Sequence, residues 1–253
     1  MRKFAYVILS LFIIILLSCS KEDKSSTSEI KDTETKSSTL TVKDIEGNVY
    51  QTVQIGEQIW MAENLKVTHY NNGNPIPDID DEWDDAFGTD GYYAAYNDNV
   101  ANVDIYGYLY NWHAVSTGML APEGWHVATF EEWKELQKHL TWVWEEGNPS
   151  PTIIKNGGSK LAGRADLWED GELENNQEFG TSGFNALPGG AFDSSGYRGN
   201  HLGALGRFWT STEDLNWEMA HSCKLYSNRP IIEFDYMSRR YKGFSIRCIK
   251  DKD

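Results

Sequence analysis

The residues best equipped to do chemistry in this chain of 253 lie in its last quarter. Between Asp193 and Gly203, the side chains of Asp193, Arg198, Asn200 and His201 can all hydrogen-bond, and Gly196, Gly199 and Gly203 let the backbone turn around them. Tyr197 adds a ring to the same stretch. A second polar group, Glu213, Asn216 and Trp217, follows after a short apolar run. Charged and amide groups beside aromatic faces suit recognition of a polar ligand, a glycan or a cell-surface protein: hydrogen bonds orient the ligand and the rings stack on it. Catalytic patterns are absent. The sequence holds no His-Glu-x-x-His for zinc, no Gly-x-Ser-x-Gly nucleophile elbow, no Gly-Lys-Ser/Thr phosphate cradle and no Gly-x-Gly-x-x-Gly. His69, His113, His126, His139, His201 and His221 fall at no ligand spacing, and His126, between Trp125 and Val127, reads as a core histidine. The expectation is a non-catalytic binding protein with no metal and no cofactor.

The cysteines divide into one and two. Cys19 follows Leu16-Leu17-Ser18 and looks like the lipidated residue of a bacterial lipobox; the alternative is a plain secretory signal that happens to contain Cys. Ahead of it, Arg2 and Lys3 begin a positive stretch, and the apolar run Phe4 to Leu17 is too short to span a bilayer core of about 30 Å. Residues 1–18 therefore read as a lipoprotein signal peptide. Residues 19–39, rich in Ser, Thr, Lys and Glu, cannot bury enough surface to offset their ordering entropy and read as a disordered tether. The Lys21-Glu22-Asp23 run resembles an address for the outer face of an outer membrane. Cys223 and Cys248 would then remain in an oxidising compartment, each in a strand of what reads as one sheet, and are expected to be bonded to each other. The formal charge of −15, or −17 once residues 1–18 are gone, argues against nucleic acid and against attraction to anionic lipid. The lipid anchor is the only membrane contact expected.

These residues need a frame, and the pattern of residues 40–253 predicts one. Leu40–Asp44, Val49–Ile55 and Ile59–Met61 alternate at period two around turns at Gly47 and Gly56, as a three-stranded meander does. Asp78, Asp80, Asp81, Glu82, Asp84 and Asp85 tempt a calcium reading, but Trp83 and Phe87 four apart favour one solvated helical turn. Tyr106 to Thr117 reads as a helix. Pro122 and Gly124 punctuate a turn, Trp125-His126-Val127 suits a short strand, and Thr129 with Glu132 forms a capping box opening a second helix at Phe130. Phe130, Trp133, Leu136 and Leu140 give that helix one buried face; Glu131, Glu135 and Lys138 stay wet. Residues 147–178 are loop-rich, with a short helix near Lys160–Leu167. The last third reads as strands separated by turns: 184–192 has Pro-Gly-Gly at its middle, 208–211 is short, and 218–226, 231–236 and 243–249 alternate as in an antiparallel sheet.

Several blocks of this sequence also resemble a known family. Gly124-Trp125-His126-Val127 with Thr129-x-x-Glu132-Trp133-x-x-Leu136 is similar to the pattern of the Fibrobacter succinogenes major paralogous domain. Asp44–Tyr50, Trp60–Leu65, Tyr106–Trp112, Gly183–Gly190, Phe208–Thr212 and Gly243–Cys248 stand in the same order. The resemblance implies an α+β, C-type lectin-like fold, with antiparallel sheets, two helices and long irregular loops, in a lipid-anchored envelope protein. It places residues 193–203 where such folds carry a ligand-bearing loop. The calcium-and-sugar motifs of sugar-binding lectins, Glu-Pro-Asn, Gln-Pro-Asp and Trp-Asn-Asp, are absent; Asp214-Leu215-Asn216-Trp217 has the residue types in another order. The more distant likeness to formylglycine-generating enzymes does not extend to their closely spaced cysteine pair. Related chains carry Cys where Ala121 stands, which the resemblance makes the natural partner of Cys248. A spacer or adhesin-type domain is the alternative function.

Overall fold

The computed structural model describes residues 40–79, 89–143, 152–192, 200–214 and 218–252, all within a compact unit that runs from Ser38 to Asp253. The signal segment, Cys19, the tether and the acidic run 80–85 lie outside the described residues. In chain order the elements are β1 (Thr41–Lys43), β2 (Val49–Ile55), β3 (Gln58–Met61), β4 (Tyr93–Ala94), α1 (Val103–Tyr106), β5 (Leu109–Tyr110), α2 (Trp112–Ser116) and β6 (Trp125–Val127). They continue with α3 (Phe130–Thr141), β7 (Trp142–Val143), β8 (Thr152–Ile153), α4 (Gly157–Leu161), β9 (Leu205–Asp214), β10 (Met219–Tyr226), β11 (Glu233–Arg239) and β12 (Cys248–Lys250). The class is α+β with antiparallel ladders and few helices. Among the described residues, no helix is long and apolar enough to cross a membrane.

Two sheets form the frame. One has the order β1-β2-β3-β12-β6 and the other the order β11-β10-β9. The expected meander is the first three strands of the larger sheet, with Val53 opposite Trp60 and Val42 opposite Tyr50. Because side chains alternate across a strand, neighbours on the inner strands serve opposite faces. Met61 and Cys248 enter one core with Tyr50, Trp209 and Phe244. Trp60 and Ile249 enter the other with Trp133, Phe184 and Phe208. Both faces are therefore buried. In the second core, Trp60 lies 5.2 Å from Trp133 and 5.4 Å from Phe184, tilted or edge-on, the geometry that adds to simple area burial.

The helix over Phe130–Thr141 forms as its cap dictates. The Thr129 Oγ1 accepts the Glu132 N–H at 3.2 Å, and the Glu132 carboxylate accepts the Thr129 N–H at 2.8 Å. Phe130, Trp133 and Leu136 are buried. The expected helix over 106–117 is instead two short helices around the β5 pair. Gly107, at φ +71, packs so closely that a Cβ would come within 2.6 Å of the Leu65 carbonyl oxygen. The Asn111 side chain then accepts the Ala114 N–H and starts α2 afresh. The segments 184–192 and 243–247 form isolated bridges rather than ladders, with Gly190 at φ +67. The helix near Lys160–Leu167 resolves into α4 and a 3-10 turn at Ala165–Leu167.

The last third is not one sheet. β9, β10 and β11 pair with one another, but β12 leaves them to lie between β3 and β6. This overturns the expected Cys223–Cys248 bond. Cys223 lies in the core with Trp60 and Phe208, Cys248 in the core on the other face of the larger sheet, and both are free and buried. Ala121 shares the core of Cys248.

Candidate functional site

Of the expected site residues, Asn200 and His201 stand just before β9. Together with Arg207, Tyr226, Lys242 and Phe244 they line a cavity of about 140 Å³. The chain reaches it through a tight turn: His201 adopts φ +66 and its carbonyl accepts the N–H groups of Ala204 and Leu205. Arg207 is held from below, its guanidinium 4.0 Å over the Phe244 ring. Its Nη2 donates to Asp235 Oδ2 at 2.5 Å and to Ser238 Oγ at 2.9 Å. Lys224, opposite Arg207 across the β9–β10 ladder, reaches the same carboxylate at 3.5 Å. Burial works against the Asp235 charge, but the Met237 N–H and the two cations outweigh it and hold the pKa below the usual carboxylate value.

Among the described residues, the cavity lining carries the cations of Arg207 and Lys242 and the imidazole of His201, and no acidic side chain. In a chain of net charge −15 that is a local gathering of cationic groups, one of them already paired with Asp235 behind the lining. A planar guanidinium fixed by its other contacts, with an ammonium, a phenol and an amide around it, suits a carboxylate or another small anionic group. Arg207, Tyr226 and Lys242 were not among the residues expected from sequence. The alternation of β9 and β10, which puts Arg207 and Lys224 on one face, is the signal that could have found Arg207.

Glu213 lies elsewhere. It sits eight positions beyond Leu205 on β9, roughly 20–26 Å along the strand, where it pairs with Arg240, whose guanidinium lies 4.8 Å over Trp112. The pairing with β10 steps from Trp209–Ser222 to Glu213–Ala220, so the strand bulges between the two ends. Of the face expected from residues 193–203 and 213–217, the described Asn200 and His201 stand near one end of β9 and Glu213 near the other. Asp193, Tyr197, Arg198, Asn216 and Trp217 lie outside the described residues.

The sequence blocks that stand out most are occupied in building the frame. Arg247 is completely buried. Its Nε donates to Asn64 Oδ1 at 2.7 Å, Nη1 to the carbonyls of Met61 and Phe184 at 3.0 and 2.6 Å, and Nη2 to the carbonyl of Asn185 at 2.6 Å. Its guanidinium also lies 4.6 Å over the Phe184 ring. Burial pulls its pKa down to about 9, which still leaves it charged at neutral pH. Asp44 accepts the N–H groups of Glu46 and Asn48 and the Tyr50 hydroxyl, the last at 2.7 Å, and so closes the β1–β2 turn.

His126 is satisfied, as expected, but half-exposed. Its Nε2 faces Glu132 at 3.0 Å and its Nδ1 faces Asp251 at 2.6 Å. The hydrogen bond to Glu132 raises its pKa to about 9, against the opposing effect of burial and with help from Asp251. A histidine held charged between two carboxylates is a clamp on the α3 cap and the end of β12, not a general base. Among the described residues, no three His, Cys, Asp or Glu side chains converge as a metal site.

No curated protein and no solved structure matches the chain. A family does match, over a span running from the middle of β2 to the last residue of β12. That span contains the Trp60–Leu65, Phe184–Asn185 and Phe208 segments, which gather around Arg247. With residues 53–250 matched, the chain belongs to the Fibrobacter succinogenes major domain family.

Proposed function

We propose that this chain is a lipid-anchored binding domain of C-type lectin-like fold, displayed at the outer membrane. In this reading it is not an enzyme, and its loop-end cavity takes a small anionic group carried by a glycan or a cell-surface protein. The observation that carries the reading is the lining of His201, Arg207 and Lys242, with no carboxylate among the described lining residues, in a strongly acidic chain. It is supported by the employment of Arg247, Asn64, Asp44 and His126 in the frame, which leaves the recurrent blocks no catalytic task. A spacer or adhesin-type role is the second reading, favoured by that same employment.

The test uses the full chain in detergent, against acidic and neutral monosaccharides on an array and then by calorimetry. Glucuronate or a sialic acid is expected to bind more tightly than its neutral counterpart. Lys242→Gln and His201→Asn, the latter chosen because Asn tolerates positive φ, are each expected to weaken that binding about tenfold while leaving thermal unfolding unchanged. Acidic sugars that bind no better than neutral ones, or binding indifferent to both substitutions, would leave the spacer reading. For the anchor, the wild-type chain is expected in the detergent phase of a phase-separation assay and Cys19→Ala in the aqueous phase or unprocessed. A wild-type chain in the aqueous phase would refute lipidation.

A further inference from the structure

One concavity among the described residues lies far from the loop-end cavity in sequence and chemistry. The β2–β3 turn and the C-terminal half of α3 enclose a space of about 520 Å³ lined by Gln58, Glu135, His139 and Trp142. A second space of about 340 Å³ continues past His139 to Lys160, Thr181 and Ser182. The two share Ile55, Gly56 and His139, so they form one elongated cleft with His139 at its waist. Each compartment falls in the range of about 300–1,000 Å³ that holds a small-molecule ligand.

The walls are built to stay in place. Gln58 is almost wholly buried; its Nε2 donates to the Glu132 carbonyl at 3.0 Å and its Oε1 accepts the Trp60 indole N–H at 3.2 Å. Lys160 closes the far end of α3 by donating to the Leu140 carbonyl at 3.0 Å. Trp142 caps α3 and remains 36% exposed, with the Lys138 ammonium 4.6 Å from the centre of its ring. At the waist Gly56 packs directly against the His139 ring, with no side chain standing above the contact. It sits at φ +61, and a Cβ there would come within 2.9 Å of His139 Nδ1.

We infer that this cleft binds a linear, uncharged oligosaccharide segment. The lining carries two acids, Glu57 and Glu135, and two bases, Lys138 and Lys160, so it offers no net charge to an ionic ligand. An exposed indole among carboxylate, amide, imidazole and hydroxyl groups matches a sugar ring, which presents an apolar face and a rim of hydroxyls. Two compartments in line suit a chain of repeating units. A peptide would call for an unpaired strand edge, and β2 and β3 are paired with each other along this wall. The inference is independent of the loop-end cavity, whose ligand is anionic.

The experiment titrates the full chain in detergent with cello-, xylo-, manno- and malto-oligosaccharides of two to six units. Calorimetry follows binding, and thermal unfolding controls for fold. At least one series is expected to bind, with the hexaose at least tenfold tighter than the disaccharide. Trp142→Ala should weaken the hexaose tenfold or more. Gly56→Asn, a residue that tolerates positive φ, fills the waist and should reduce the hexaose to the affinity of the shortest binder. Lys242→Gln should leave this binding intact, which separates failure of the cleft from failure of the loop-end cavity. If Gly56→Asn does not fold, Trp142→Ala still decides. The inference is overturned if no series binds, if hexaose binding survives Trp142→Ala, or if glucuronate or an acidic peptide displaces the hexaose.

Discussion

Replacing Arg247 with Met tests whether one guanidinium joins the blocks of this fold. The substitution keeps length and apolar bulk but removes every donor. The carbonyls of Met61, Phe184 and Asn185 and the Asn64 side-chain oxygen then lose a bond each. A buried acceptor left without its donor costs about 1–3 kcal/mol, so four such groups cost about 4 kcal/mol at the low end. Against this, a charge with no carboxylate bonded to it no longer has to be buried, which returns part of that cost. The net expectation is a loss of about 3–5 kcal/mol, because the four unmet acceptors outweigh the returned cost. For a domain of this size, that lowers the melting temperature by about 6–20 °C. Arg247→Lys is the sharper arm. It keeps the charge but gathers its donors on one atom, which cannot span carbonyls on both sides of a fork, and it should be no milder than Met. Calorimetric melting with urea unfolding at constant m measures both. Melting of Arg247→Met within about 2 °C of wild type, or a wild-type-like Arg247→Lys, would refute the reasoning.

Two further outcomes follow from groups already described. The His126 pKa is raised from 6.5 to about 9, so its contribution to stability is fully present below pH 6.5 and is lost as pH rises through 9. Discounted for a side chain more than a third exposed, it amounts to about 1–2 kcal/mol; unfolding curves at pH 6 and pH 10 should show the loss for wild type and not for His126→Gln. Burial pushes the Cys223 and Cys248 thiols well above their ordinary pKa. Thiol counting on the air-oxidised chain should therefore find both unreactive when folded and both reactive in denaturant; a denatured chain with neither would restore the disulfide.

Local features were legible because local chemistry fixes them. Thr129 and Glu132 announce a helix start by their spacing alone, and the period-two runs around Gly47 and Gly56 give the β1–β2–β3 meander. The period of Phe130, Trp133 and Leu136 marks the buried face of α3, and Trp142 escapes it by falling just past the helix, on the cap. What the chain does not spell out is which distant piece meets which. Three of the acceptors around Arg247 are backbone carbonyls, which carry no residue type. Alternation makes Cys248 a strand residue but does not say which sheet its strand joins. The cleft pairs Gly56 with His139, two positions that become neighbours only when the larger sheet has docked on α3. The acidic segment and much of the polar loop fall outside the described residues.

The place of β12 has a consequence for how the molecule comes into being. It is the last strand among the described residues, yet it lies between β3 and β6, with Ile249 opposite Trp60. A chain emerging amino end first therefore carries the larger sheet as two separate pieces, β1-β2-β3 and β6, until residues 247–250 arrive. Until then the carbonyls of Met61, Phe184 and Asn185 also wait for their donor. Pairing between partners so far apart in the chain forms late and slowly, because the intervening loop must be closed before the contact rewards it. The larger sheet of the nascent polypeptide is thus completed only when its final strand slides home.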